Sequence, residues 1–164
     1  MSLPISPNSF IELDPEQSVF LAELSMAEID FIIVGGTAMK IYGIEASSDD
    51  LDIYFKPEES NVKKLIKIVH DMGYIEAAFH LMRYHKPLYL ELGMGQSKID
   101  LLNETPGLEF HEAYYDACQV LLNNVQVSVL SIEDLMSNKS MLQLGHHQRD
   151  VNYILATMST QFAN

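Results

Sequence analysis

The sequence predicts an α/β (α+β) fold: a small mixed β-sheet flanked by helices, followed by a pair of C-terminal helices. Two observations predict it. Short apolar runs rich in β-branched residues alternate with segments of helical periodicity, and glycines or prolines separate them. The length of 164 residues, with 48% hydrophobic and 20% charged residues, suits one globular domain. We therefore expect a single domain over 1–164, with a core over 30–130 and helices over 131–162.

The first elements are predicted from capping signals and apolar runs. Asp14 precedes Pro15, and Gln17 stands at the third helical position, so Asp14 and Gln17 form a capping box. Phe31–Val34 is a short apolar run that favours a strand buried on both faces, and it stops at two glycines. A short helix over Thr37–Tyr42 follows.

The middle of the chain adds three predicted strands and one predicted helix. Leu51–Phe55 is an apolar run typical of a strand, and apolar residues at helical spacing predict a helix over Glu58–Met72. Pro87–Leu92 and Lys98–Leu102 are two further strands, separated by a turn at Gly93–Gly95. These strands join the first one in the predicted sheet.

The last part of the predicted core is a hairpin. Gln119–Leu122 and Val125–Leu130 flank Asn123–Asn124, a pair that tolerates the positive φ angles of a two-residue turn. Ser131 is then the N-cap of a helix, and a final helix is predicted over Gln148–Phe162.

The charge of the chain limits its function. It has 10 Lys and Arg against 23 Asp and Glu, a net charge of −13, which argues against bulk binding of DNA or RNA. No Lys or Arg precedes Lys40, and none lies between Lys98 and Lys139. An anionic ligand must therefore be held by backbone amides, by a metal ion or by these few cations.

The single cysteine and the apolar pattern indicate where the protein works. Cys118 has no cysteine partner, which excludes an intrachain disulfide or a cysteine-based zinc site and is typical of a reducing compartment. The sequence has neither a secretory signal nor an apolar run of membrane-spanning length. We expect a cytoplasmic protein with no membrane partner.

Three acidic residues lie in apolar strands. Because side chains alternate along a strand, Asp50 and Asp52 project from the same face. Asp100 occupies a similar place in its own strand, and three such acids would repel one another unless a cation lay between them. Carboxylate oxygens of this kind suit Mg²⁺. An Asp-x-Asp pair taken alone is also typical of a solvated strand end, so the pattern leaves both interpretations open.

A second feature favours a binding site. Gly35, Gly36 and Thr37 lie between a predicted strand and a helix N-terminus. Glycine permits the backbone to approach a phosphate closely, and the unpaired amides and the helix dipole favour an anion. The segment is neither a P-loop nor a dinucleotide-binding fingerprint, because the Gly-Lys-Ser/Thr and Gly-x-Gly-x-x-Gly patterns are absent.

Taken in order, these motifs resemble those of minimal nucleotidyltransferases of the DNA polymerase beta superfamily. Gly35–Gly43 and Ser48–Tyr54 resemble the family's Gly-Gly/Ser and Asp-x-Asp motif, and Lys98–Leu102 resembles the segment with its third acid. Ser131–Lys139 and Arg149–Asp150 resemble helical motifs of the abortive-infection toxin branch and its bacterial relatives. The resemblance covers most of the chain.

The resemblance implies an activity and a metal. A nucleoside monophosphate would pass from an NTP to an acceptor hydroxyl, with release of pyrophosphate. Two Mg²⁺ ions, with Mn²⁺ as an alternative metal, would be the cofactors. Asp50 and Asp52 would bind both ions, while Asp100 would bind one ion and help to deprotonate the acceptor.

It also implies the nucleotide-binding residues. Gly35, Gly36 and Thr37 would cradle the triphosphate. Lys139 is either a solvated lysine on a surface helix or a cation that reaches the phosphates, and we favour the second interpretation. Asp150 is either a helix-start acid favoured by the dipole or the family's substrate-side carboxylate, and the sequence leaves both open.

One departure from the family pattern leaves a second function open. Many relatives carry an Arg four residues before the first Asp of the pair, where this chain has Ala46; Arg83, Lys98 or Arg149 are candidate replacements. The first function is a bacterial nucleotidyltransferase whose acceptor is an RNA end, a protein hydroxyl or a small molecule. The alternative is a catalytically inactive binding module, an antitoxin or nucleotide sensor with a toxin–antitoxin partner protein.

Overall fold

A computed structural model describes residues 11–142 apart from 45, 47–48, 94 and 96. Within these residues, six helices accompany a six-stranded sheet. The helices are α1 (Pro15–Met26), α2 (Gly35–Ile41), α3 (Glu59–Asp71), α4 (Ile75–Leu81), α5 (Phe110–Asp116) and α6 (Ile132–Leu142). The strands are β1 (Phe31–Val34), β2 (Leu51–Phe55), β3 (Tyr89–Leu92), β4 (Ile99–Leu102), β5 (Cys118–Leu122) and β6 (Val125–Val129).

The sheet is mixed, as the sequence predicts, with the strand order β3-β4-β2-β1-β6-β5. β2 and β4 are parallel, and so are β1 and β6, whereas β1 with β2, β3 with β4 and β5 with β6 are antiparallel. The two hairpin strands β3 and β5 lie at the edges. β2 and β4, which carry the predicted acids, are therefore neighbours inside the sheet.

The core lies between the sheet and the helices. All four residues of β1 are buried, which confirms the prediction that this strand is covered on both faces. From α1, Phe20, Leu21 and Leu24 pack into the same core with no exposed surface. This burial excludes water from both sides of the central strands and positions their polar ends rigidly.

Two local predictions are confirmed in detail. Asp14 accepts a hydrogen bond from the backbone N–H of Gln17, and Gln17 Oε1 accepts one from the N–H of Asp14, which completes the capping box. At the β5–β6 turn, Asn123 and Asn124 have φ angles of 50° and 64°. Both features depend on neighbouring residues alone, which is why the sequence reveals them.

Other predictions need correction. The sequence analysis missed α4 and α5, each only seven residues long. In α4, Ile75 and Phe79 are exposed, so the helix has no clear apolar stripe from which it could be predicted. The structure also begins α2 at Gly35, two residues earlier than predicted. Of the predicted C-terminal pair, the first helix is α6, while 148–162 lies outside the described residues. No helix in the described part of the chain is both long and apolar enough to cross a membrane.

Candidate functional site

Two of the predicted acids face each other across β2 and β4. The parallel register pairs Asp52 with Asp100. Residues paired in this way project from the same face of the sheet. Two carboxyl groups placed in this way repel each other when both are ionised, so each favours the protonated form of the other unless a cation lies between them.

The surroundings of this pair disfavour two negative charges. Burial raises the pKa of Asp52, and its hydrogen bond with Asp100 raises it further. Burial also raises the pKa of Asp100. Asp100 is only 3% exposed, and among the described residues its Oδ1 has no hydrogen-bond partner. A buried carboxylate oxygen without a partner is costly unless it serves a ligand or a cation.

Asp50 joins the pair from the beginning of β2. Its negative charge raises the pKa of both Asp52 and Asp100, so Asp50 adds to the repulsion within the pair. Asp50 Oδ1 accepts a hydrogen bond of 3.1 Å from the backbone N–H of Lys98, and the Thr37 hydroxyl donates one of 2.7 Å to the Asp50 carbonyl. These contacts tie the acids to both the neighbouring strand and α2.

Gly35 makes the closest backbone approach to the acids. It has a φ of +67°, and a Cβ atom at this position would overlap Asp52 Oδ2. Both the left-handed backbone and the space require a residue without a side chain. The first turn of α2 therefore begins directly against the Asp52 carboxylate. The sequence predicted a phosphate-binding role for Gly35, Gly36 and Thr37, and the structure brings this segment beside the acids.

Lys139 is buried on α6 and is only 5% exposed, so it is not the solvated surface lysine that the sequence left open. Its positive charge lowers the pKa of Asp52, which places the ammonium group near the acid pair. A buried lysine close to carboxylates and to a glycine-lined helix start is well placed to meet an anionic ligand. Contact with phosphate remains a prediction.

Gln17 is a residue of this site that the sequence analysis assigned to helix capping alone. Its side-chain amide donates hydrogen bonds of 2.9 Å to the Asp49 carbonyl and 3.0 Å to the Lys98 carbonyl. It thereby links the segments that lead into β2 and β4, on which the acids lie. Its place in the capping box was visible in the sequence, but these two partners were not, because they come from distant segments.

Tyr89 is a second residue that sequence reasoning missed. Its hydroxyl donates a hydrogen bond of 2.8 Å to Asp100 Oδ2, although its ring is 63% exposed. No motif marks it, because the contact depends on the antiparallel pairing of β3 with β4.

Some predicted residues are not brought into the site. Asp150 and Arg149 lie outside the described residues, so their roles stay predictions. Ala46 packs partly buried against the core, and the Lys98 ammonium group, a candidate replacement for the missing arginine, pairs with Glu91. In the described part of the chain, no three Asp, Glu, His or Cys side chains stand in a ready-made metal cluster. The turn of Asp50 Oδ1 toward the Lys98 amide fits this finding.

Paired acids on neighbouring strands of a mixed sheet therefore lie beside a Gly-Gly segment that opens a helix. The chain belongs to the family described as nucleotidyl transferase of unknown function (DUF2204), which matches residues 16–161. This match confirms the family resemblance at the level of nucleotidyl transfer. No curated protein matches the sequence.

Proposed function

We propose that this protein is a Mg²⁺-dependent nucleotidyltransferase that moves a nucleoside monophosphate from an NTP to an acceptor hydroxyl. The observation that carries the proposal is the facing Asp52–Asp100 pair, in which the buried Asp100 has an Oδ1 atom without a hydrogen-bond partner among the described residues. Carboxyl groups with raised pKa values, beside a close approach of a glycine backbone, are more typical of functional sites than of structural ion pairs.

The donor set fits Mg²⁺. Asp50, Asp52 and Asp100 would hold the two ions, and Mn²⁺ would fit the same oxygen ligands. Asp100 Oδ1 supports this assignment, because a cation would provide the partner that this atom lacks among the described residues. When bound, the ions would supply positive charge to the phosphate oxygens on which negative charge develops during the transfer.

The nucleotide phosphates would lie against the first turn of α2. The Thr37 hydroxyl already donates to the Asp50 carbonyl, so Gly35, Gly36 and Thr37 would offer backbone amides to the phosphates rather than side chains. Lys139 would add a point charge beside the acids. Asp150 stays a predicted contact on the substrate side.

The transfer itself requires a base. The acceptor oxygen would attack the α-phosphorus, the bond from this phosphorus to the bridging oxygen would break, and pyrophosphate would leave. Asp100 would take the proton of the acceptor hydroxyl, as the family resemblance implies, and its Oδ2 already accepts a hydrogen bond from a hydroxyl group, that of Tyr89. The net charge of −13 favours a protein hydroxyl or a small molecule over a long RNA, while an RNA end held at a few points remains compatible.

The alternative function is an inactive binding module, an antitoxin or nucleotide sensor that holds NTP or a partner protein without turnover. Ala46 favours it, because this position lacks the arginine of many relatives. The closeness of the three acids favours the enzyme, because a relic site has no need to maintain mutually repelling carboxyl groups in the core.

Calorimetric titration with ATP, CTP, GTP and UTP in the presence of Mg²⁺ tests the proposal, followed by measurement of pyrophosphate release. We expect metal-dependent binding of at least one NTP, and its loss in the double variant Asp50→Ala/Asp52→Ala. The single variant Asp52→Asn should lower the transfer rate by about 10³-fold. This change corresponds to the loss of several kcal/mol of charge stabilisation in the transition state. Binding without turnover for every acceptor class would favour the module, and no binding of any NTP would refute the enzyme.

A further inference from the structure

The Tyr89 hydroxyl occupies the place at which an acceptor hydroxyl would be activated. It donates a hydrogen bond of 2.8 Å to Asp100 Oδ2, the carboxylate assigned above to accept the proton of the acceptor. The geometry required of a general base is a heavy-atom distance of about 2.6–3.2 Å to the hydroxyl whose proton it takes. The chain thus presents one of its own hydroxyl groups to its own base.

The two oxygens of Asp100 stand in different situations. Oδ2 accepts from Tyr89, whereas Oδ1 is buried and has no partner among the described residues. One oxygen is therefore in place for a hydroxyl and the other is in place for a cation. The Thr37 hydroxyl also lies at the site, but it is buried and donates its hydrogen bond to the Asp50 carbonyl, so its role is structural.

Tyr89 is also accessible. It lies on β3 at the edge of the sheet, and its ring is 63% exposed. Tyr74 is a contrasting case, because its hydroxyl donates a hydrogen bond to Glu16 on α1 and not to Asp100.

We propose that the protein nucleotidylates its own Tyr89 in cis, an inference that rests on the proposed function. The Tyr89 oxygen forms a bond to the α-phosphorus of the NTP, and the bond from this phosphorus to the bridging oxygen breaks. Pyrophosphate leaves with that electron pair. The phenolic proton passes along the existing hydrogen bond to Asp100 and then to water. The product is a phosphodiester between tyrosine and the nucleotide, and it occupies the position that an external acceptor needs.

Mass spectrometry of the full chain tests this inference. The purified protein is incubated with each of the four NTPs and Mg²⁺, or with Mn²⁺ in a parallel set, and its intact mass and peptides are measured. We expect a mass gain of one nucleoside monophosphate unit, located on Tyr89. Tyr89→Phe should lose the gain while folding normally by circular dichroism. The matched control Tyr115→Phe, which changes a tyrosine 90% exposed on α5, should keep it.

A mixing experiment separates cis from trans transfer. Asp52→Asn chains keep Tyr89 but lack the proposed activity, and Tyr89→Phe chains lack only the hydroxyl. When the two are mixed with NTP and Mg²⁺, we expect no mass gain on Asp52→Asn. A gain there would overturn the cis assignment, because transfer would then occur between molecules.

The remaining outcomes distinguish this inference from the proposed function. Wild-type protein that binds NTP and releases pyrophosphate with an added acceptor, yet gains no mass on Tyr89, would overturn the inference and leave the transferase standing. Modification at another residue, unchanged in Tyr89→Phe, would overturn it as well. Failure of all four NTPs to bind would overturn both.

Discussion

The two ends of β2 both have an amide side chain that holds the backbone, but their charged groups are balanced differently. At the far end, Lys56 lies 3.2 Å from Glu58 and 3.8 Å from Asp30, so its cation has carboxylate partners. At the acid end, Asp52 and Asp100 face each other, and burial raises the pKa of both carboxyl groups. One end of the strand therefore carries a lysine paired with two carboxylates, and the other end carries two carboxyl groups that disfavour each other's ionisation.

The backbone at each end is held by a buried amide side chain. At the far end, Asn61 on α3 accepts from the Asp30 N–H and donates to the Asp30 and Lys56 carbonyls. At the acid end, Gln17 on α1 donates to the Asp49 and Lys98 carbonyls. Since a side-chain amide holds the backbone at both ends, the raised pKa values of the acids are not explained by a missing backbone support. The difference agrees with the ligand site proposed for the acid end.

Among the substitutions that test this difference between the two ends of β2, Gly35→Ala is expected to have the largest effect. The alanine would adopt a φ of +67° with its Cβ overlapping Asp52 Oδ2, so we expect a loss of about 2–4 kcal/mol in the free energy of unfolding. The displaced Asp52 should also abolish NTP binding. Urea unfolding and calorimetry measure the two losses.

The matched control is Gly73→Ala. Gly73 follows α3 with a φ of +96°, and a Cβ there would meet nothing within 4 Å, so only backbone strain of about 1–2 kcal/mol is expected. Equal losses in the two variants, with NTP binding intact in Gly35→Ala, would show that the close approach to Asp52 is unimportant.

An intermediate effect is expected from removing the side-chain amide of Gln17 or that of Asn61. Gln17→Met and Asn61→Leu both remove hydrogen bonds to partly buried carbonyl groups, which should lower the free energy of unfolding by about 1–3 kcal/mol in each case. Only Gln17→Met should weaken Mg²⁺-dependent NTP binding, by roughly 10–100-fold, the loss typical of residues that orient metal ligands. Similar weakening in Asn61→Leu would mean that both amides act through stability alone.

The smallest expected effect is the pH dependence of Tm in the absence of metal. The pKa values of Asp52 and Asp100 are raised in the folded protein above the ordinary value of 3.8, so the folded state binds more protons than the unfolded state. This stabilisation is present below the ordinary value and is lost as pH rises through the folded pKa. We expect Tm in EDTA to fall by about 2–4 °C between about pH 5 and pH 8, the size of a 1 kcal/mol change.

Asp52→Asn should flatten this pH dependence, because it removes the acid that is buried against Asp100. Mg²⁺ should raise Tm more at pH 8 than at pH 5, because the ion and protons compete for the same carboxylates. Thermal scans of the two proteins with and without Mg²⁺ provide the measurement. A Tm that rises with pH in EDTA would contradict the raised pKa values.

The parts of the fold that the sequence predicted are those held by interactions between residues close in sequence. The capping box of α1, the apolar β1 and the Asn123–Asn124 turn were all predicted, since each depends on residues close in sequence. The helices α4 and α5 were missed, because they are short and take their places from contacts with the rest of the chain.

For the candidate site, the sequence by itself determined which chemistry is available. Alternation along one strand sets Asp50 and Asp52 on a common face, and the two glycines that open α2 let the backbone approach the acids. Tertiary structure alone decided the partners. The parallel register of β2 and β4 sets Asp52 against Asp100, the pairing of β3 with β4 delivers Tyr89, and the packing of α6 buries Lys139. Strand order and register are properties of the whole core, so a local pattern cannot contain them.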